Sequence, residues 1–338
     1  MGNYKYISVD DTAITYFGRW EKRDGRAIGN WNNPYVRFIF TGTSLKCMFC
    51  GGANIEVNID GEVSVYSDLD GVKELCSGLE NKEHNATLTI TNAEKRISFG
   101  GMEIDADAEI KKQNKDRKYI QFIGDSITTS PLSYSYTIPK EYGYDYSIIS
   151  MNGISLMDGA GWYFAAENLV WSGKLVREDS IGMESAYFCF RNPKDGYSLK
   201  NDALVYENPE FDVENDHQPD VIVIGIGTND NDCLNNNREG YTKEVFEKTY
   251  TKFINKLLNI YPDAEICVLQ NFNYSAGDYA LLRETTKAAC KAVNSPRLHH
   301  IDTTDWQVEI SGDDVHPSHD GYATLRDLVY NKIKPWLT

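Results

Sequence analysis

Apolar positions in the first third of the chain recur at every second residue. Ile55, Val57 and Ile59 alternate with polar side chains, and after Asp60-Gly61 the alternation resumes at Val63 and Val65. A period of two sends successive side chains to opposite faces of a strand, and Asp-Gly between two such runs predicts a tight hairpin. Similar runs at 36–40, 45–49, 62–68, 86–92 and 96–101 are separated by turn residues with no helical stretch between them. Strands in such succession predict an all-β unit, a β-sandwich. The segment KKQNKDRK at 111–118 is charged and lacks apolar residues, which makes it the expected boundary. The expected division is 1–115 and 116–338.

From residue 119 the rhythm changes. Near-continuous apolar runs stand at 119–124, 146–150, 220–227, 264–270 and 298–302. Between and after them come helical spacings. Phe246, Tyr250, Phe253 and Leu257 share one face, a second helix is expected over roughly 276–293, and a last one carries Leu325, Leu328 and Val329 before Pro335 stops it. Apolar strands alternating with amphipathic helices predict an α/β unit whose parallel sheet is covered on both faces. In such sheets ligands gather at the carboxyl ends of the strands. Residues 161–218 fit neither pattern and read as a long, aromatic-rich insertion, too long for a bare loop.

Composition narrows the possibilities. The chain has 338 residues, 41% hydrophobic and 25% charged, with a formal net charge of −16. That balance repels phosphate backbones and anionic lipid, so neither a nucleic acid nor a membrane is an expected partner. Seven scattered cysteines form no disulfide framework and suggest a reducing compartment. Cys47 and Cys50 make a lone CxxC inside a strand-like run, where the two thiols should face opposite ways, so no metal is expected there. The N-terminal residues have no basic and apolar leader pattern, and a cytoplasmic location is the expectation.

Three strand ends carry unusual polar residues: Gly124-Asp125-Ser126, Met151-Asn152-Gly153 and Gly227-Thr228-Asn229-Asp230. A fourth block, Asp313-Asp314-Val315-His316-Pro317, precedes the last helix. Acyl transfer needs a hydroxyl, a base to take its proton, and fixed donors for the oxyanion. Ser126 can supply the hydroxyl, His316 the base, and Asp313 an anchor for the imidazole. The N–H groups of Ser126 and Gly153 with the Asn229 amide can form an oxyanion hole. Each block alone has an ordinary alternative, since Asp-Ser before an apolar residue also caps helices and Asn-Asp also makes turns. At a strand-to-helix turn, Ser126 can both cap the helix and act as nucleophile.

These blocks resemble those of the SGNH (GDSL-like) hydrolase superfamily, named for a catalytic Ser, Gly, Asn and His that fall here on Ser126, Gly153, Asn229 and His316. The resemblance implies a three-layer, flavodoxin-like α/β domain. With Tyr16-Phe17-Gly18-Arg19-Trp20 and Phe40-Thr41-Gly42-Thr43-Ser44-Leu45 in a preceding β unit, the whole chain resembles carbohydrate esterase family 2. Those enzymes join a jelly-roll to the hydrolase domain and deacetylate sugars. The implied function is a serine esterase removing O-acetyl groups from hemicellulose-derived oligosaccharides, such as mannan or xylan fragments, through an acetyl-serine intermediate. It needs no cofactor and no metal. The alternatives are an esterase or thioesterase for lipid-like or short acyl esters, and a non-catalytic carbohydrate-binding protein. The chain departs from its relatives at Thr129-Ser130-Pro131 and in its long insertion. Asp314 rivals Asp313 as partner of His316. Trp306, Trp162 and Trp171 are the candidate platforms for sugar rings, with core packing the competing role. His299, His300 and His319 are read as structural.

Overall fold

Asp60 and Gly61 adopt φ of 53° and 97°, and Ile59 pairs with Glu62 across them. Positive φ at both central residues is what a tight hairpin turn requires; Gly61 has no Cβ to oppose it and Asp60 tolerates it. The computed structural model describes residues 4–92, 94–113, 117–163, 179–200, 203–275 and 278–338. The chain divides into two compact units, Met1–Asp116 and Arg117–Thr338, separating within the charged segment.

The first unit contains β1 (Tyr4–Ile7), β2 (Thr15–Arg23), β3 (Arg26–Phe40), β4 (Leu45–Ile59), β5 (Glu62–Cys76), β6 (His84–Ile90), β7 (Ile97–Asp105) and β8 (Ile110–Lys111). The runs expected as separate strands at 45–49 and 54–60 are one strand, β4, continued through register shifts between Phe49 and Ala53. The pairings β3–β6, β6–β4, β4–β7 and β7–β3 close on themselves, all antiparallel, into a small four-strand barrel flanked by the other strands. Its core includes Phe38, Phe40, Phe49, Ile55 and Phe99, each at most 2% exposed. Burying such a side chain contributes roughly 1.5–3 kcal/mol. Cys47 lies in that core while Cys50, on the other face, receives the Arg26 guanidinium at 2.7 Å.

The second unit is mixed α/β. Its strands are β9 (Tyr119–Gly124), β10 (Asp145–Ser150), a small hairpin of β11 (Tyr197–Lys200) and β12 (Ala203–Tyr206), β13 (Val221–Gly225), β14 (Glu265–Leu269) and β15 (Leu298–Ile301). Five of them form a parallel sheet in the order β10-β9-β13-β14-β15. The strands before and after β9 in space are β10 and β13, so the strand order reverses at β9 and opens a crevice at its carboxyl end. The helices are α1 (Ser126–Thr129), α2 (Tyr134–Tyr142), α3 (Met183–Ala186), α4 (Pro193–Gly196), α5 (Asn231–Asn235), α6 (Lys243–Ile260), α7 (Ala280–Val293) and α8 (His319–Ile333). α6 buries Phe246, Tyr250, Phe253 and Leu257, the face expected from their spacing. Part of the insertion forms α3, α4 and the β11–β12 hairpin; residues 164–178, with Trp171, lie outside the described residues.

Candidate active site

β9 ends at Gly124, and Asp125 turns the chain into α1. The capping residue is Asp125, not Ser126: its side chain accepts the N–H of Ile127 at 3.0 Å, and Ser126 is the first helical residue. The N–H groups of a first helical turn have no acceptor within the helix, so that of Ser126 is available to a ligand. Thr129 anchors the turn through its hydroxyl, bonded to the Asp125 carbonyl at 3.0 Å and to Ser150 Oγ at 3.0 Å. Ser130, before Pro131, leaves the helical region (ψ 137°) and ends α1 after one turn.

The segment before α8 folds tightly on itself. The Asp313 carboxylate accepts Ser311 Oγ at 2.7 Å, Val315 N–H at 3.0 Å and His316 N–H at 2.9 Å. It also lies 2.6 Å from His316 Nδ1, and His316 Nε2 lies 2.7 Å from Ser126 Oγ. Burial pushes the Asp313 carboxyl up, but the N–H groups of His316 and Val315, with Ser311 and the imidazole, outweigh it and hold it well below the usual carboxylate range. An ionised carboxylate only accepts, so Nδ1 carries the proton and Nε2 accepts from the Ser126 hydroxyl. Asp314, the rival acid, sits at φ 61° with its carbonyl held by Asn273 Nδ2 at 2.9 Å.

Gly153 follows β10 at φ 79°, and a Cβ there would meet the Trp162 carbonyl oxygen at 2.1 Å. The missing Cβ therefore lets the backbone approach the chain itself closely here, and Trp162 N–H bonds the Gly153 carbonyl at 2.7 Å. Asn229 lies in a single 3-10 turn after β13, where its Nδ2 donates to the Ile154 carbonyl at 2.8 Å. That bond uses one of two amide protons and fixes where the other points.

Ser126, His316, Asn229 and Gly153 line a cleft of about 350 Å³. Trp162, 44% exposed, lines the same cleft with Tyr163, Asn152 and Lys194. Trp306 does not line it. Only 6% exposed, this indole is buried, so the expected platform role passes to the core-packing alternative. His299 bonds Glu265 at 2.6 Å and stacks on Trp336, and His319 is exposed at the start of α8. Among the described residues no group of three or more His, Cys, Asp or Glu is arranged to hold a metal ion.

Two buried acids beneath the cleft were not anticipated. The Asp230 carboxyl accepts Leu156 N–H at 2.7 Å and Met157 N–H at 3.0 Å, which pins the loop that carries Gly153. Burial pushes Asp230 up to about 7, against the two N–H groups, with Asp125 and Glu184 adding to the rise. Burial likewise pushes Asp125 up to about 6, opposed by Ile127 N–H, Thr228 and His316. The one sequence signal for Asp230 was its place in Gly-Thr-Asn-Asp. Lys194 had none.

A hydroxyl, an imidazole and a carboxylate in hydrogen-bonded series at the crevice of a parallel α/β sheet define a serine-hydrolase type of site. The chain belongs to the GDSL-like lipase/acylhydrolase family, whose model matches residues 155–324. It is 25% identical over 320 residues to an acetylxylan esterase/glucomannan deacetylase of Cellvibrio japonicus, covering 90% of this chain and 84% of that one. It shares its fold with a family two carbohydrate esterase from Cellvibrio japonicus, at TM-score 0.77 and 18% identity over 100% of this chain and 99% of that one. An acetyl xylan esterase from the rumen bacterium Butyrivibrio proteoclasticus superposes at TM-score 0.71 and 17% identity, over 100% of both chains.

Proposed function

We propose that this protein is a serine esterase that removes O-acetyl groups from acetylated, hemicellulose-derived oligosaccharides. The observation that carries this reading is the series Ser126 Oγ–His316 Nε2, His316 Nδ1–Asp313 at 2.7 and 2.6 Å. The acetylxylan esterase/glucomannan deacetylase relative supports the substrate class. In this reading Ser126 Oγ attacks the acetyl carbonyl carbon while its proton passes to His316 Nε2. The tetrahedral oxyanion receives the N–H groups of Ser126 and Gly153 and the remaining N–H of the Asn229 amide. Collapse expels the sugar oxygen, which takes the proton back from His316 and leaves acetyl-Ser126. Water then attacks with His316 as base, and acetate departs. Asp313 keeps the imidazole in the tautomer that accepts from serine and stabilises the imidazolium. Trp162, solvent-exposed at the cleft, offers a ring on which a pyranose can stack.

The finer description of the fold belongs to the same proposal: a jelly-roll first unit, supported by its long antiparallel strands, and a flavodoxin-like three-layer second unit, supported by its strand order. A cytoplasmic location is supported by seven free cysteines and is tested by fractionation of the source cells.

The test is incubation with acetylated manno-, xylo- and gluco-oligosaccharides, with NMR locating the acetyl groups lost. Release of acetate from at least one series is expected. A strong preference for long-chain acyl esters over all of them would overturn the substrate class.

A further inference from the structure

We propose that a second cavity beside the cleft, walled in part by Tyr197, Tyr206, Tyr241 and Asp179, is a carbohydrate subsite. It holds a neutral sugar unit of the same oligosaccharide whose acetylated unit lies at Ser126. The proposal rests on the esterase reading above and extends it from a single acetylated sugar to a longer chain.

The cavity measures about 520 Å³, against about 350 Å³ for the cleft, and the two share no lining residue among the described ones. That volume is ordinary for a small-ligand site. The two spaces adjoin, because two short stretches of chain border both. Residues 158–163 give Asp158 to the cavity and Trp162 and Tyr163 to the cleft, and residues 194–197 give Lys194 to the cleft and Tyr197 to the cavity. Tyr163 spans the partition. It lines the cleft, while its hydroxyl donates to the Ile181 carbonyl at 3.0 Å and accepts the Ile181 N–H at 2.5 Å, and Ile181 lines the cavity. With one tyrosine side chain between them, an oligosaccharide held at Ser126 can place a further unit in the cavity.

The lining suits a neutral polyol. Among the described residues it carries three tyrosine rings and two carboxylates, and no Lys, Arg or His. Anions are repelled there, whereas a pyranose offers C–H faces to the rings and hydroxyl donors to a carboxylate. The Asp158 carboxylate is spent within the wall, accepting Gly182 N–H at 2.6 Å and Ser185 Oγ at 2.7 Å. Asp179, exposed, is the acceptor for ligand hydroxyls. The walls are fixed before a ligand arrives. Gly159 N–H bonds the Ser180 carbonyl at 2.6 Å, the Tyr241 hydroxyl donates to the Asp158 carbonyl at 3.0 Å, and the Tyr197 hydroxyl donates to the Asp179 carbonyl. Such preorganisation spares the binding step the cost of ordering the site. A cationic ligand would suit rings and acids too, but the protein supplies that cation itself. The Arg238 guanidinium lies 4.7 Å from the centre of the Tyr241 ring and donates to the Gly159 carbonyl at 3.0 Å.

The experiment follows acetate release by NMR from oligosaccharides of one neutral sugar, from the monosaccharide to the tetrasaccharide. Each carries a single acetyl group, on one terminal unit in a first series and on the other in a second, with p-nitrophenyl acetate as a further substrate. Along one series kcat/KM should rise at least about tenfold, through a lower KM at constant kcat, as contacts remote from the reacting bond produce. Because the sugar is neutral, the rise should persist in high salt. Asp179→Asn and Tyr241→Ala should each flatten it, and Tyr241→Phe, which keeps the ring, should retain it. No rise in the wild-type protein, a rise that salt abolishes, or one that survives Asp179→Asn or Tyr241→Ala would overturn the proposal while leaving the esterase reading intact. No acetate from any substrate, p-nitrophenyl acetate included, would overturn the esterase reading and this proposal with it. Where Tyr241→Ala fails to fold, Asp179→Asn and the wild-type length series decide the matter.

Discussion

The Asp230 carboxyl accepts the N–H of Leu156 at 2.7 Å, across 74 residues of chain. With the bond to Met157 it ties the turn after β13, which carries Asn229, to the loop after β10, which carries Gly153. Two of the three proposed oxyanion donors are thereby set relative to one another by one buried side chain. Asn at 230 would keep one acceptor oxygen and turn an NH2 group on a backbone N–H. Leaving that buried donor unpaired costs about 1–3 kcal/mol. Asp230→Asn should therefore lower the unfolding free energy by that amount in urea titration. A displaced loop should also lower kcat for acetate release, by up to about 10²-fold, with KM little changed.

Asn229 acts through the amide proton not spent on Ile154. Asn229→Ala removes one oxyanion donor and should reduce kcat by about 10²–10³, equivalent to roughly 3–4 kcal/mol, with KM largely retained. Steady-state kinetics on an acetyl ester measures this, and an unchanged kcat would remove Asn229 from the oxyanion hole.

Gly153→Ala forces an L side chain to φ 79° and drives its Cβ onto the Trp162 carbonyl. The left-handed conformation alone costs about 1–2 kcal/mol, and relief of the clash must move Trp162. The variant should melt at lower temperature, lose activity, and show an altered tryptophan emission spectrum.

Stability should respond to pH with opposite signs at the two kinds of carboxyl. Asp230 is raised from 3.8 to about 7, so the folded state binds the extra proton between those values. Its contribution is full below the unfolded pKa and is lost as pH rises through about 7. Asp125, raised to about 6, adds to the same trend. Asp313 is lowered, so its contribution is full above 3.8 and is lost only as pH falls well below that value. In thermal melts, the wild-type advantage over Asp230→Asn should shrink as pH rises from about 4 to about 7. The advantage over Asp313→Asn should stay flat there and shrink only in stronger acid.

Much of this site was readable because its parts are local in sequence. The contact between Asp313 and His316 spans three residues, and one tight turn delivers it. Ser126 and Asn229 follow apolar runs whose pairing as parallel strands brings their ends together. What escaped is what distant partners define. Asp230 matters through two N–H groups 74 and 73 residues away, and Asn273 through a carbonyl at position 314. Lys194 comes from an insertion without motif. Trp306 misled because ten residues of separation from His316 says nothing about the direction of a side chain. Ser126 was expected to share the capping role, but Asp125, one residue earlier, turns its side chain into α1 and takes it. The helix α2 gave little apolar periodicity and contains Pro139, so pattern alone did not reveal it.

The most direct measurement is acetate release by purified Ser126→Ala beside the wild-type protein, each checked for an intact fold by circular dichroism. Loss of the hydroxyl bonded to His316 Nε2 should lower kcat by about 10⁴-fold or more, leaving what the oxyanion donors and binding alone provide. The wild-type protein should also accumulate an acetyl group on Ser126 detectable by mass spectrometry after acid quench. Folded Ser126→Ala protein that releases acetate at the wild-type rate would contradict the assignment of Ser126 as the nucleophile.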